Sequence, residues 1–174
     1  ILVGAPRLKV VGRLGVGLEN IELPACAKRN IKVIPATGAN AESVAEYVVG
    51  AAVALTRGFI PATISTLKGE WPRPRFSTYH EFLGKTVGIV GFGSIGRVVA
   101  KKANAFGLKC LAYDPMLTQS SVDLDGFTVP LLPLDQVLSS SDVITLHLPF
   151  LPETKNLFNA ATLDQMKKGA CLIN

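Results

Sequence analysis

The rhythm of apolar and polar positions changes along this chain. Leu8–Arg13 is a short strand-like run that ends in the glycine-rich stretch Leu14-Gly15-Val16-Gly17. Helical spacing over Leu23–Arg29 and a second extended run over Ile31–Ile34 follow, which together predict one β-α-β unit. Pro35 to Asn40 reads as a loop, and Ala41–Leu55 as a long apolar helix with few charges, a type usually buried between layers or domains. A more polar helix over Pro61–Lys68 leads to Glu70-Trp71-Pro72-Arg73-Pro74, where the prolines predict a loop.

From Thr86 onward strands and helices alternate. Apolar runs at Thr86–Gly91, Leu108–Tyr113, Phe127–Val129, Val143–Leu148 and Ala170–Ile173 predict five strands, the third of them weak. Helices are expected over Ser94–Phe106, Leu134–Ser139 and Ala160–Lys167. Continuous apolar strands separated by helices imply a parallel sheet covered on both faces, an α/β fold of doubly wound type.

Composition narrows the reading. The 174 residues allow one ordinary domain, or one and a piece of another; 48% are hydrophobic and 18% charged, which supplies a core and carries no disorder signature. The net charge of +5 is spread out, with Lys101-Lys102 and Lys167-Lys168 the longest basic runs. That pattern lacks the basic patch with interleaved aromatics of a nucleic-acid binder and suits an anionic cofactor and substrate instead. Cys26, Cys110 and Cys171 are widely spaced in apolar runs, which predicts buried free thiols and a cytoplasmic setting. No run reaches the ~18 apolar residues of a membrane span, so neither a span nor a signal peptide is expected. Ile1 opens directly into a strand-like run without a starting Met, so a cut N-terminus is expected.

Gly91-Phe92-Gly93-Ser94-Ile95-Gly96 fits G-x-G-x-x-G, directly after the strand Val87-Gly88-Ile89-Val90 and at the start of a helix. In that context Gly91 permits a tight turn, Gly93 lets backbone approach a pyrophosphate, and Gly96 lets helix and strand pack closely. The free N–H groups of the first helical turn then face the phosphates, so a Rossmann-type dinucleotide site is predicted. Asp114 ends the next strand, where a carboxylate accepts from the adenosine ribose hydroxyls; the alternative is a solvated turn aspartate. A 2′-phosphate ~5 Å away would meet about 3 kcal/mol of repulsion at an effective dielectric of ~20, and Pro115 to Gln119 offers no offsetting cation. NAD is therefore expected over NADP. His147 closes the fourth strand at the sheet's ligand-binding end and is expected to touch cofactor; a satisfied strand-end histidine is the plainer alternative.

Three segments in combination resemble the D-isomer-specific 2-hydroxyacid dehydrogenases, the 3-phosphoglycerate dehydrogenase branch in particular. They are Gly12-Arg13-Leu14-Gly15-Val16-Gly17-Leu18-Glu19-Asn20-Ile21 with Asn40 and Ser43–Glu46; Val87–Gly96 with Tyr113-Asp114-Pro115; and Ser141–Pro149 with Thr154 and Leu157. The resemblance covers essentially the whole chain. It implies two domains: residues 1–43 as the last part of the first segment of a smaller flavodoxin-like substrate domain, and residues 44–174 as a truncated NAD-binding Rossmann domain.

The resemblance further implies that Val16 and Gly17 offer backbone N–H groups to a substrate carboxylate, with Val16 also near the nicotinamide. Ser94, Ile95, Asp114 and Leu148, with Pro149 and Thr154 beside them, would contact NAD. The implied substrate is a 2-hydroxy or 2-keto acid, and the implied assembly a homodimer, with the Ala41–Leu55 helix and the arm near Trp71 as its surface or else packed within one subunit. Family chemistry uses an Arg, a His and a carboxylate that correspond to positions beyond Asn174. No catalytic residue is therefore assigned within the chain, no metal ligand is expected, and these 174 residues alone are expected to be inactive. Corepressors that sense NAD resemble the same family, so an interaction protein is the alternative function.

Overall fold

The computed structural model describes residues 4–174. The strand-like run expected to open at Ile1 begins outside the described residues. Two parallel sheets organise the chain. In the first, β1 (Val10–Arg13) pairs with β2 (Lys32–Pro35) across helix α1 (Leu23–Lys28), with Val11 opposite Val33. Both strands alternate between exposed and half-buried positions, so this sheet hides neither face fully.

Helix α2 (Ala41–Arg57) links the two sheets. Its buried positions Ala41, Ala45, Val48, Val49 and Ala52 recur at three- and four-residue spacing, a stripe along one face, while Tyr47 and Leu55 are exposed. The helix stops at Gly58, whose φ of 65° lies in the left-handed region and ends the hydrogen-bond ladder. Helix α3 (Phe59–Leu67) starts at once, bent 66° from α2. Among the described residues no single helix is long and apolar enough to cross a membrane. The expected loop after Glu70 contains a short helix α4 (Arg73–Phe76): Pro74 sits in its first turn, where a missing N–H costs nothing.

The second sheet has four parallel strands in the order β4-β3-β7-β8: β3 (Thr86–Val90), β4 (Lys109–Tyr113), β7 (Val143–Leu146) and β8 (Cys171–Ile173). Helix α5 (Ser94–Ala105) crosses from β3 to β4, and α6 (Leu134–Ser140) packs on the opposite face. Four of five β3 residues are buried, as a central parallel strand requires. The larger core gathers Val48 and Ala52 of α2, Ile89 of β3, Val99 and Ala103 of α5, and Val143 of β7, together with Phe92. Val90, Leu138 and Ile144 form a second cluster under α6.

One expected strand is corrected. Phe127–Pro130 does not join the parallel sheet as a full member but forms an antiparallel hairpin (β6) with β5 (Ser121–Leu124). Asp125 and Gly126 at its tip both have positive φ, the geometry of a tight two-residue turn. The bridge between Leu131 and Ala112 ties the hairpin's end to the sheet, and Val122, Leu124 and Val129 pack it into the larger core. Two boundaries also move: β7 ends at Leu146, before His147, and helix α7 covers only Ala160–Leu163, fixed by a capping box at Asn159.

Candidate functional site

The site lies at the carboxyl ends of β3, β4 and β7, where the turns after all three strands converge. Gly91 follows β3 with φ +96°, a left-handed conformation that strains other residues. A Cβ on Gly91 would fall 2.7 Å from the His147 carbonyl carbon, so the turn after β3 lies directly against the turn after β7. Gly96, in the first turn of α5, is held tighter still: its Cβ would meet the Gly91 carbonyl oxygen at 2.3 Å. Gly93 differs from both. Nothing lies within 4 Å of where its Cβ would point. Two glycines thus serve contact within the protein and the middle one leaves open space beside the helix start.

That helix start carries unspent donors. Gly93 occupies the N-cap position and gives no side-chain cap; the first helical hydrogen bond runs from the Arg97 N–H to the Gly93 carbonyl. Helix α7 offers the contrast, since the Asn159 side chain accepts from the Ala161 and Thr162 N–H groups. The open N–H groups at Ser94 and Ile95, the positive end of a twelve-residue helix and the space at Gly93 together fit an anionic diphosphate. Phe92 is 1% exposed and braces the turn from below, with the Arg97 guanidinium 5.4 Å from its ring centroid.

Asp114, just past β4, is tied into this turn. Its Oδ2 accepts from the Phe92 N–H at 2.8 Å and its Oδ1 from the Met116 N–H at 2.9 Å. A carboxylate has about four acceptor sites, so two remain for ribose hydroxyls. The sequence singled out Asp114 for the ribose alone; its grip on the glycine turn was not legible, because the Phe92 N–H is twenty-two residues away in the chain.

His147 is half-buried, and its Nε2 lies 3.0 Å from the hydroxyl of Thr145, which is fully buried. Burial pushes its pKa down to about 4, so the ring is neutral near pH 7. Leu148 packs on the smaller core cluster and Pro149 is exposed. The Thr154 hydroxyl accepts from the Leu151 N–H and donates to the Pro149 carbonyl at 2.6 Å, so its proton is spent on bracing the loop after His147.

Val16 and Gly17 stand elsewhere, in the exposed turn after β1, and no hydrogen bond joins them to residues 91–96 among the described residues. The Glu19 carboxylate occupies the space beside Gly17, where a Cβ would lie 2.3 Å from its oxygen, and the Arg13 guanidinium folds over Gly15. His80 is exposed. Cys26 and Cys110 are buried free thiols as expected, the Cys110 pKa being pushed up to about 11 by burial, whereas Cys171 is only half-buried.

Comparison with known proteins agrees with this geometry. Residues 49–174 match the family described as D-isomer specific 2-hydroxyacid dehydrogenase, NAD binding domain. Across the whole chain the protein is 42% identical to a D-3-phosphoglycerate dehydrogenase of Synechocystis, of which it covers 31%, and 37% identical to a hydroxypyruvate reductase of Thermotoga maritima, of which it covers 55%. The chain thus spans between about a third and just over half of these curated relatives. Among solved structures, the NAD-dependent formate dehydrogenase of Staphylococcus aureus in complex with NAD superposes with a TM-score of 0.84 at 37% identity, over 99% of this chain and 51% of that one. The glycine turn, the uncapped start of α5 and Asp114 all fall within the residues matched to the NAD-binding domain, and this chain belongs to the D-isomer specific 2-hydroxyacid dehydrogenase family.

Proposed function

We propose that the protein is an NAD-dependent oxidoreductase that transfers a hydride between nicotinamide and a small 2-hydroxy or 2-keto acid. The observation that carries this reading is the junction of three parts: open N–H groups at Ser94 and Ile95, open space at Gly93, and a carboxylate at Asp114 anchored to the same turn. When bound, nicotinamide supplies the hydride acceptor or donor. The residues of this chain hold and orient: Gly91, Gly93, Ser94, Ile95 and Gly96 seat the diphosphate, Asp114 the ribose, and His147, Leu148 and Pro149 line the cleft, with Thr154 bracing their loop. Val16 and Gly17 would direct backbone N–H groups at a substrate carboxylate, in a substrate-domain segment ending near residue 43.

No residue of the chain is assigned the proton-transfer role. His147 is unsuited to it, since a ring held neutral down to about pH 4 is not protonated near pH 7 and is a weak base. Residues 1–174 alone are accordingly expected to bind NADH and turn over nothing. The test mixes the full-length protein and NADH with a panel of 2-keto acids, including phosphorylated three-carbon ones. Oxidation of NADH by at least one member supports the reading; none with any member, despite NADH binding, removes it.

A homodimer belongs to the same proposal. Leu67 and Trp71 are 82% and 80% exposed on α3 and the segment after it, beside a groove of about 330 Å³ lined by Trp71 and Phe76. Large exposed apolar side chains beside such a groove favour coverage by a second copy. Sedimentation of L67E/W71E as monomer, beside a dimeric parent, is the expected outcome. The unpaired thiols fit a reducing, cytoplasmic setting.

A further inference from the structure

The amino ends of the same sheet carry a second cavity, of about 490 Å³. Its walls include the segments that lead into three strands: Lys85 before β3, Asp142 before β7, and Lys167, Lys168 and Gly169 before β8. Strand β3 alone, five residues at ~3.3 Å each, puts roughly 16 Å between this cavity and the glycine turn, so the two are separate places.

Its charge is unbalanced. Lys85, Lys167 and Lys168 face a single carboxylate, a surplus of two positive charges. That carboxylate is already committed: Asp142 Oδ2 accepts from the Thr86 N–H at 2.8 Å and Oδ1 from Lys167 Nζ at 3.2 Å. Lys85 and Lys168 have no ion-pair partner among the described residues. The rest of the lining is the end of α2, at Leu55 and Thr56, and the segment Thr78 to His80; the carbonyls at a helix end repel anions, so the lysines are where an anion would rest. The volume falls within the ~300–1,000 Å³ range of small-molecule sites.

We infer that this cavity is a second anion site, distinct from the cofactor cleft, that takes the phosphoryl group of a small molecule. Lysines present compact, rotatable donors that suit the tetrahedral phosphoryl oxygens, and the cavity has no arginine to grip a planar carboxylate with two parallel bonds.

The test titrates inorganic phosphate into the full-length protein, first without NADH and again saturated with it, at constant ionic strength set with chloride, and follows backbone amide NMR shifts. Saturable shifts at Lys85, Gly169, Ala170 and Cys171 are expected, unchanged by NADH. The K85M/K168M variant should bind phosphate about tenfold or more weakly, since each lysine gives a charge-assisted bond, and bind NADH as the parent does. Malonate should bind more weakly than phosphate. Shifts confined to Gly93–Gly96 and abolished by NADH would overturn the inference, as would a non-saturating response equal to that of chloride, or malonate binding as tightly as phosphate. The parent's shift map decides the matter even if the double variant does not fold.

Discussion

Two glycine-rich turns follow the first strands of two β-α-β units in this molecule, and only one of them passes straight into a helix start. From Gly12 in β1 to Gly17 the glycines lead into a loop, and α1 begins only at Leu23, with no side-chain cap and a proline in its first turn. After β3, Gly91 to Gly96 passes straight into α5, whose first turn presses on the Gly91 carbonyl. The first strand pair is partly exposed, whereas β3 is buried on both faces. Glycines give a chain permission to turn. Turning a helix start toward a ligand requires the third glycine to be closed against backbone, and requires a packed sheet behind it.

The sharpest way to break this contrast is at Gly96. A side chain there meets backbone at 2.3 Å, which cannot rotate away. Gly96→Val is expected to weaken NADH binding by roughly 100-fold or more, about 2.7 kcal/mol, and to lower stability by about 2 kcal/mol from overpacking. Gly12→Ala, with nothing within 4 Å of its Cβ, should leave both nearly unchanged in calorimetric titration and thermal melting.

Asp114 gives the next largest effect, because its carboxylate serves two sites at once. Asp114→Ala should weaken NADH by about 10–100-fold, the range for lost hydrogen bonds to a charged group, while narrowing the preference against NADPH. Faster hydrogen exchange at the Phe92 and Met116 amides is expected in the variant without cofactor. Unchanged exchange would leave Asp114 a ribose ligand only.

Acid should reach the cofactor end of the sheet first. His147 has a folded pKa of about 4 against an ordinary value of 6.5, so between those limits the unfolded chain binds a proton that the folded one refuses. Its contribution to stability is whole above pH 6.5 and is lost as pH falls toward 4, up to about 3 kcal/mol. His147→Gln should flatten chemical denaturation midpoints across that window.

The amino end responds lower and less. Burial acts to raise the Asp142 pKa, but the Thr86 N–H and Lys167 outweigh it and hold it below the usual carboxylate range. Its stabilisation is present above pH 3.8 and lost only below, as pH falls through the depressed value. Asp142→Asn should cost about 1 kcal/mol at neutral pH, since both partners of its ion pair are partly exposed.

What the sequence disclosed follows the same division. The strand, turn and helix around Gly91 were legible because each local preference agrees with the fold: apolar run, glycine spacing, helical period. The Ser121–Leu124 strand was not, since its alternating Ser, Val, Asp and Leu side chains make a weak signal and its partner is β6 rather than the main sheet. Helix α4 was hidden by prolines that break a helix interior but suit its first turn. The contacts that couple Asp114 to Phe92 and Thr145 to His147 are tertiary, and periodicity carries no trace of them.

The most direct measurement is the amide shift map of the full-length protein titrated with NADH. Saturable shifts centred on Gly93, Ser94, Ile95 and the Asp114–Met116 turn, lost in Gly96→Val, are what this account predicts. A folded protein that shows no saturable shifts at these amides would contradict it.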